Sequence, residues 1–159
     1  MKLNLGSGLR NLKGYINIDA VKQTPDTVVG NLLELDYVDN SIDEIYSEHV
    51  IEHFTRPELD RYFSESKRML KPSGKFVIIA PSIIKVLERF NKGEVDINYI
   101  DSFLFARHLH EYDFHKQSIY KEKLIMLCDK HGFKITKLEY QDRNFSKNEI
   151  VLEAYRRNK

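Results

Sequence analysis

The stretch KLNLGSGLRNLKGYINID, residues 2–19, decides the fold. Lys2 to Leu5 alternates as a short strand and runs straight into Gly6-Ser7-Gly8; Tyr15 to Ile18 forms a second strand ending at Asp19. Glycine tolerates backbone angles that other residues resist and lets a ligand approach the main chain, so a glycine pair at a strand exit has the shape of a nucleotide-binding turn. A tight strand exit wants glycine for its own sake, and the turn taken alone divides evenly between the two readings. Asp19 shifts the balance. A carboxylate at the end of the neighbouring strand is an acceptor that takes both donors of a ribose diol, whereas its bland role there is a turn or cap.

The usual dinucleotide fingerprint fits poorly. Its third glycine would fall at Asn11, and its acidic residue stands about 20 residues beyond the turn, whereas Asp19 is thirteen after Gly6. No second mononucleotide half fits in the remaining chain. A cofactor with one nucleoside and no pyrophosphate fits better.

Further along, strands are expected at Thr27–Val29, Ile42–Tyr46 and Phe76–Ala80, the last a continuous apolar run between Gly74 and Pro81. Helices fall between and after them. Thr55-Arg56-Pro57-Glu58 reads as a capping box, and Leu59, Tyr62, Phe63, Ser66, Met69 and Leu70 follow at helical spacing until Pro72. Ser82 caps a helix ending at Gly93, Asp96 to Leu109 reads as helical, and Ser118 to His131 is amphipathic with Gly132 as its C-cap. Phe133–Leu138 and Ile150–Tyr155 close the chain as an antiparallel pair. Alternating strands and helices predict an α/β, Rossmann-like, mostly parallel sheet with an antiparallel C-terminal hairpin. Only Leu9 to Lys13 separates Gly8 from Gly14, far short of the dozen residues a parallel crossover normally takes, so the first helix is expected to be shortened to about one turn.

Length and composition bound the rest. The 159 residues make one domain, 1–159, with 25 Lys and Arg against 24 Asp and Glu and a net charge of +1. That balance argues against a protein living on the phosphate field of nucleic acid. Nine Tyr, nine Phe and 42% hydrophobic residues exclude a disordered chain. A single cysteine, Cys128, makes no internal disulfide and points to a reducing, cytoplasmic setting. No apolar run approaches the roughly 20 residues of a membrane helix, and the N-terminus turns polar too soon for a signal peptide.

With these residues in place, the chain resembles the small class I S-adenosylmethionine-dependent methyltransferases of the type 11 group. The resemblance rests on Leu3-Asn4-Leu5-Gly6-Ser7-Gly8 with Gly14 to Asp19, on Asp39 to Phe54, and on Arg68-Met69-Leu70-Lys71-Pro72-Ser73-Gly74-Lys75, in that order. It covers residues 1–81 and thins thereafter, with His131-Gly132-Phe133 as a supporting match. It implies S-adenosyl-L-methionine as cofactor. Leu5, Gly6, Ser7 and Gly8 would line its methionine part, Asp19 would hold the ribose, Asn31 (where the family often has Asp) and Leu32 would meet adenine, and Glu48 and His49 would lie near the sulfonium. Larger members place an N-terminal helix over the cofactor, and the resemblance without it implies a cavity that would be open or covered by another subunit, as in a homodimer.

Methyl transfer from a sulfonium asks mainly for alignment, and sometimes for a base. A neutral histidine serves best near pH 7. Glu48, His49, Glu52 and His53 would pair as Glu48 with Glu52 and His49 with His53 if helical. Two histidines four apart bring no further ligands at a telling spacing, so no metal is expected. His49 is the first catalytic candidate. His110 and Tyr112, in the polar aromatic run Arg107 to His115, are the candidates for acceptor contact. The expected activity is methyl transfer to a hydroxyl or amine of a small-molecule or sugar-like acceptor. The alternatives are a cofactor-binding module without turnover and, disfavoured by the charge balance, an RNA methyltransferase.

Overall fold

The computed structural model describes residues 1–106, 112–143 and 146–157. Its seven strands are β1 (Lys2–Leu5), β2 (Ile16–Asp19), β3 (Val28–Val29), β4 (Ile42–Glu48), β5 (Leu70–Pro81), β6 (Phe133–Arg143) and β7 (Ser146–Arg156). They form one sheet in the order β3-β2-β1-β4-β5-β7-β6. The first five run parallel; β7 enters antiparallel beside β5 and pairs with β6. The α/β expectation holds, terminal hairpin included.

Between β1 and β2 the shortening of the first helix goes to its limit. Two turns, closed by Arg10 N–H to Ser7 O at 2.8 Å and Tyr15 N–H to Leu12 O at 3.2 Å, replace it. The two strands are nonetheless parallel neighbours in register, Leu3 with Ile16 and Leu5 with Ile18. Asn17 makes this possible: its side-chain oxygen accepts Leu12 N–H and Asn4 Nδ2–H, each at 2.8 Å, so polar groups stranded by the missing helix find partners.

Four helices follow: α1 (Arg56–Met69), α2 (Ile83–Asn91), α3 (Ile97–Phe105) and α4 (Lys121–His131). α3 and α4 are shorter than their patterns suggest, and Leu109 lies outside the described residues. The capping box forms as read: Thr55 N–H reaches Glu58 Oε2 at 2.7 Å and Glu58 N–H reaches Thr55 Oγ1 at 3.4 Å. Thr55→Ala should cost about 0.5–2 kcal/mol, read as a lower urea midpoint at unchanged slope. α1 lays Leu59, Tyr62, Phe63 and Met69 on the sheet, and Phe63 and Phe133 meet Phe76 of β5 at ring separations of 5.4 and 5.0 Å. Within β5, Ser73 takes φ +60°. Cys128 is buried on α4 in the core, its thiol pushed up to about 12 by burial.

Candidate functional site

The parallel strands end at one edge, and the chain reverses there around a cavity of about 830 Å³. Sites at the carboxyl ends of strands in open α/β sheets owe their place to this reversal. Among the residues lining it are Gly6, Ser7 and Gly8 after β1, Asp19 at the end of β2, Asn31 and Leu32 after β3, Glu48 at the end of β4 with His49 and His53 beyond it, and Tyr112. The sequence-selected positions therefore converge, with two exceptions. Leu5 is buried in the core and its neighbours Asn4 and Gly6 line the cavity instead. His110 lies outside the described residues.

At the β1–β2 end, Gly6 and Gly8 have φ of +68° and +51°. Gly6 and Ser7 N–H both donate to Ile18 O, at 2.8 and 3.0 Å, which folds the loop onto β2. Asp19 Oδ2 then accepts Gly8 N–H at 2.8 Å and Oδ1 accepts Val21 N–H at 3.1 Å. Each oxygen keeps a lone pair for a further donor. This is a fixed carboxylate facing a cavity, with a loop whose Gly8 has open space where a Cβ would stand. Past β3, Asn31 Oδ1 accepts Leu33 N–H at 3.0 Å, an Asx turn that orders the loop holding Leu32. A ribose diol and a flat apolar base fit this donor and acceptor set, so the residues present suit an adenosyl group.

Arg10 and Tyr46, which the sequence did not single out, complete this end. Both bond Glu48 Oε2, so Glu48 serves as the anchor of a cation across the cavity floor.

At the β4 end the expected helical pairing does not occur, because β4 runs to Glu48 and only a 3₁₀ turn, Ile51–His53, follows. His49 instead takes φ +54°, and its ring lies between two carboxylates. Nε2 is 2.9 Å from Glu149 Oε1 and Nδ1 is 3.4 Å from Glu52 Oε1. Glu52 and Glu149 are 1% and 3% exposed. Burial alone would lower the His49 pKa, but hydrogen bonds to Glu149 and Glu52 and their charges outweigh it and push it up to about 10. The two carboxylates thus favour the imidazolium form of His49 at neutral pH. Glu149 arrives from β7, which pairs Glu149 with Pro81 at the end of β5, while His49 N–H bonds Ile79 O at 2.9 Å. The antiparallel entry of β7 thereby puts a residue a hundred positions away at the carboxyl edge of β4.

His53 and His115 pack edge to face at 4.9 Å. His53 Nδ1–H donates to Phe114 O at 3.1 Å and His115 Nδ1–H to Phe103 O at 2.6 Å. Burial lowers the pKa of His115, keeping it neutral.

The strand order, the glycine turn answered by an acid one strand away and the cavity at the strand edge are the features in which the chain is similar to the class I S-adenosylmethionine-dependent methyltransferases. Residues 11–78 match the family model described as "Methyltransferase domain". A protein of Encephalitozoon cuniculi, named as a candidate methyltransferase, is 32% identical over 132 residues, covering 80% of this chain. The chain spans about three fifths (61%) of that relative's length. Among solved structures, a SAM-dependent methyltransferase of Methanosarcina mazei superposes with TM-score 0.73 at 17% identity over 99% of this chain and 92% of its own. The Burkholderia thailandensis 1,6-didemethyltoxoflavin-N1-methyltransferase, solved with 1,6-didemethyltoxoflavin and S-adenosylhomocysteine, gives 0.67 at 15% over 99% and 71%. A Haloferax volcanii candidate methyltransferase in complex with the Trm112 methyltransferase activator gives 0.65 at 14% over 99% and 82%. Identities this low speak for the fold. No helix among the described residues is long and apolar enough to cross a membrane.

Proposed function

We propose that the chain transfers a methyl group from S-adenosylmethionine to a hydroxyl or amine of a small-molecule or sugar-like acceptor. The observation that carries this reading is the cavity at the strand edge, about 830 Å³ and within the roughly 300–1,000 Å³ of small-ligand sites, with Asp19 fixed at one end and the His49 imidazolium at the other. S-adenosylmethionine, when bound, supplies a methyl group already activated on sulfur. The chain's own work is placement.

Asp19 would accept the ribose hydroxyls, Leu32 and the Asn31 turn would flank adenine, and Gly6, Ser7 and Gly8 would pass their backbone along the methionine part. Arg10, held by Glu48 and Tyr46, is the cation placed for the methionine carboxylate. His49 acts as a fixed positive charge drawing an electron-rich acceptor, and Tyr112, half exposed on the lining, gives it a rim contact.

Calorimetric titration with S-adenosylmethionine and S-adenosylhomocysteine tests the reading. Asp19→Ala should weaken either by about 1–3 kcal/mol, some five- to 150-fold, because the ribose donors are left unmet. An unmodified protein that binds neither compound ends the proposal. Tight binding with no transfer across a broad acceptor panel would favour the module without turnover.

A further inference from the structure

We propose that Glu52, His53 and His115 form a binding site for a divalent transition-metal ion beside the acceptor end of the cavity. One ligand atom from each lies within 4.8 Å of those of the other two. Both rings are set as metal-ligating imidazoles are. A backbone carbonyl only accepts, so the bonds to Phe114 O and Phe103 O fix the proton on Nδ1 of each ring and leave the lone pair on Nε2. Carbonyl acceptors on the distal nitrogen are the usual outer support of a ligating histidine.

Glu52 supplies the independent sign. Its carboxylate is buried; Oε1 meets the His49 ring at 3.4 Å, and Oε2 has no hydrogen-bond partner. Taking a carboxylate out of water costs several kcal/mol unless it is well partnered. A bound cation would supply that partner.

The scaffold is rigid where it must be. Lys116 N–H bonds Glu52 O at 2.8 Å, and Gln117 Nε2–H bonds Phe54 O at 2.8 Å. These contacts pin the segment carrying His115 to the turn carrying Glu52 and His53. Spacing hid the site, because His115 stands 62 positions beyond His53.

Two imidazoles and one carboxylate suit zinc, iron or manganese with positions left for water or substrate, and His53 opens onto the cavity. The ion's part in the reaction, unlike its binding, rests on the methyl-transfer reading. It would lower the pKa of an acceptor hydroxyl, whose proton passes to water. The oxygen then bonds the methyl carbon as the carbon–sulfur bond breaks and sulfur keeps the electron pair. The acceptors so favoured are those whose oxygens chelate, such as vicinal diols and hydroxy acids.

Chelator-treated full-length protein titrated with Co²⁺ and followed by visible absorption, with Zn²⁺ followed by calorimetry, decides the matter. One equivalent should bind saturably, and His53→Gln and His115→Gln should each weaken it at least tenfold with an unchanged circular dichroism spectrum. His131→Gln, which alters a histidine of α4 paired with Asp60 of α1, should leave binding intact. Absence of saturable binding by the unmodified protein overturns the site, as does binding that both histidine variants, at 53 and 115, retain; the unmodified titration decides alone if a variant loses its fold. Protein that binds S-adenosylhomocysteine but no metal overturns this inference only, and protein that binds metal but no S-adenosylhomocysteine overturns the transferase reading only.

Discussion

Gly6→Ala should destabilise the protein by about 2–5 kcal/mol and weaken S-adenosylhomocysteine binding with it. Two costs add. At φ +68° a residue with a Cβ sits in the left-handed region, at about 1–2 kcal/mol. The new carbon would also stand 2.2 Å from Val50 Cγ2, and overpacking of that kind costs about 1–3 kcal/mol. Val50 is buried and β-branched, so one χ1 well holds it and it cannot turn aside freely. The shift therefore passes to the loop, whose Gly8 N–H positions Asp19. Urea unfolding and calorimetry on the same preparation measure both parts. A variant as stable as its parent, with unchanged affinity, would show that Val50 yields and that the loop is not under this constraint.

His49→Leu should cost about 2–4 kcal/mol, below the 3–5 kcal/mol of a fully buried pair because the ring is 40% exposed. Its removal takes from Glu52 and Glu149 the cation between them. The pH dependence gives the sharper readout. The folded pKa of His49, about 10, lies above the 6.5 of an unfolded histidine, so its contribution is fully present below pH 6.5 and fades as pH climbs toward 10. Glu52 has a lowered pKa, so its contribution is present above about 4.5, the unfolded glutamate value, and is lost on acidification. The difference in melting temperature between parent and variant should therefore be widest between about pH 4.5 and 6.5 and shrink toward pH 10. A difference that stays flat over that range would mean that the ring is neutral in the folded protein.

Much of the nucleotide end was legible because its parts are local in sequence. Gly6, Gly8 and Asp19 lie within one strand–turn–strand unit, and parallel pairing of β1 with β2 leaves their ends nowhere else to go. The side chain of Leu5 turns into the core, and its neighbours Asn4 and Gly6 line the cavity. Arg10 carried only the weak signal of a basic residue in the glycine loop. The β4 end was legible in its members and not in its pairings. Helical spacing joined His49 to His53, but β4 stays extended to Glu48, and the 3₁₀ turn brings Glu52 round to His49. Glu149 and His115 are placed by long-range contacts, which no local periodicity encodes.

The entry of β7 between β5 and β6 has a consequence for how the molecule comes into being. A ribosome delivers Glu149 after all six other strands have been made, so the half carrying Gly6, Gly8 and Asp19 can consolidate early while the half carrying His49 and Glu52 waits for the closing hairpin.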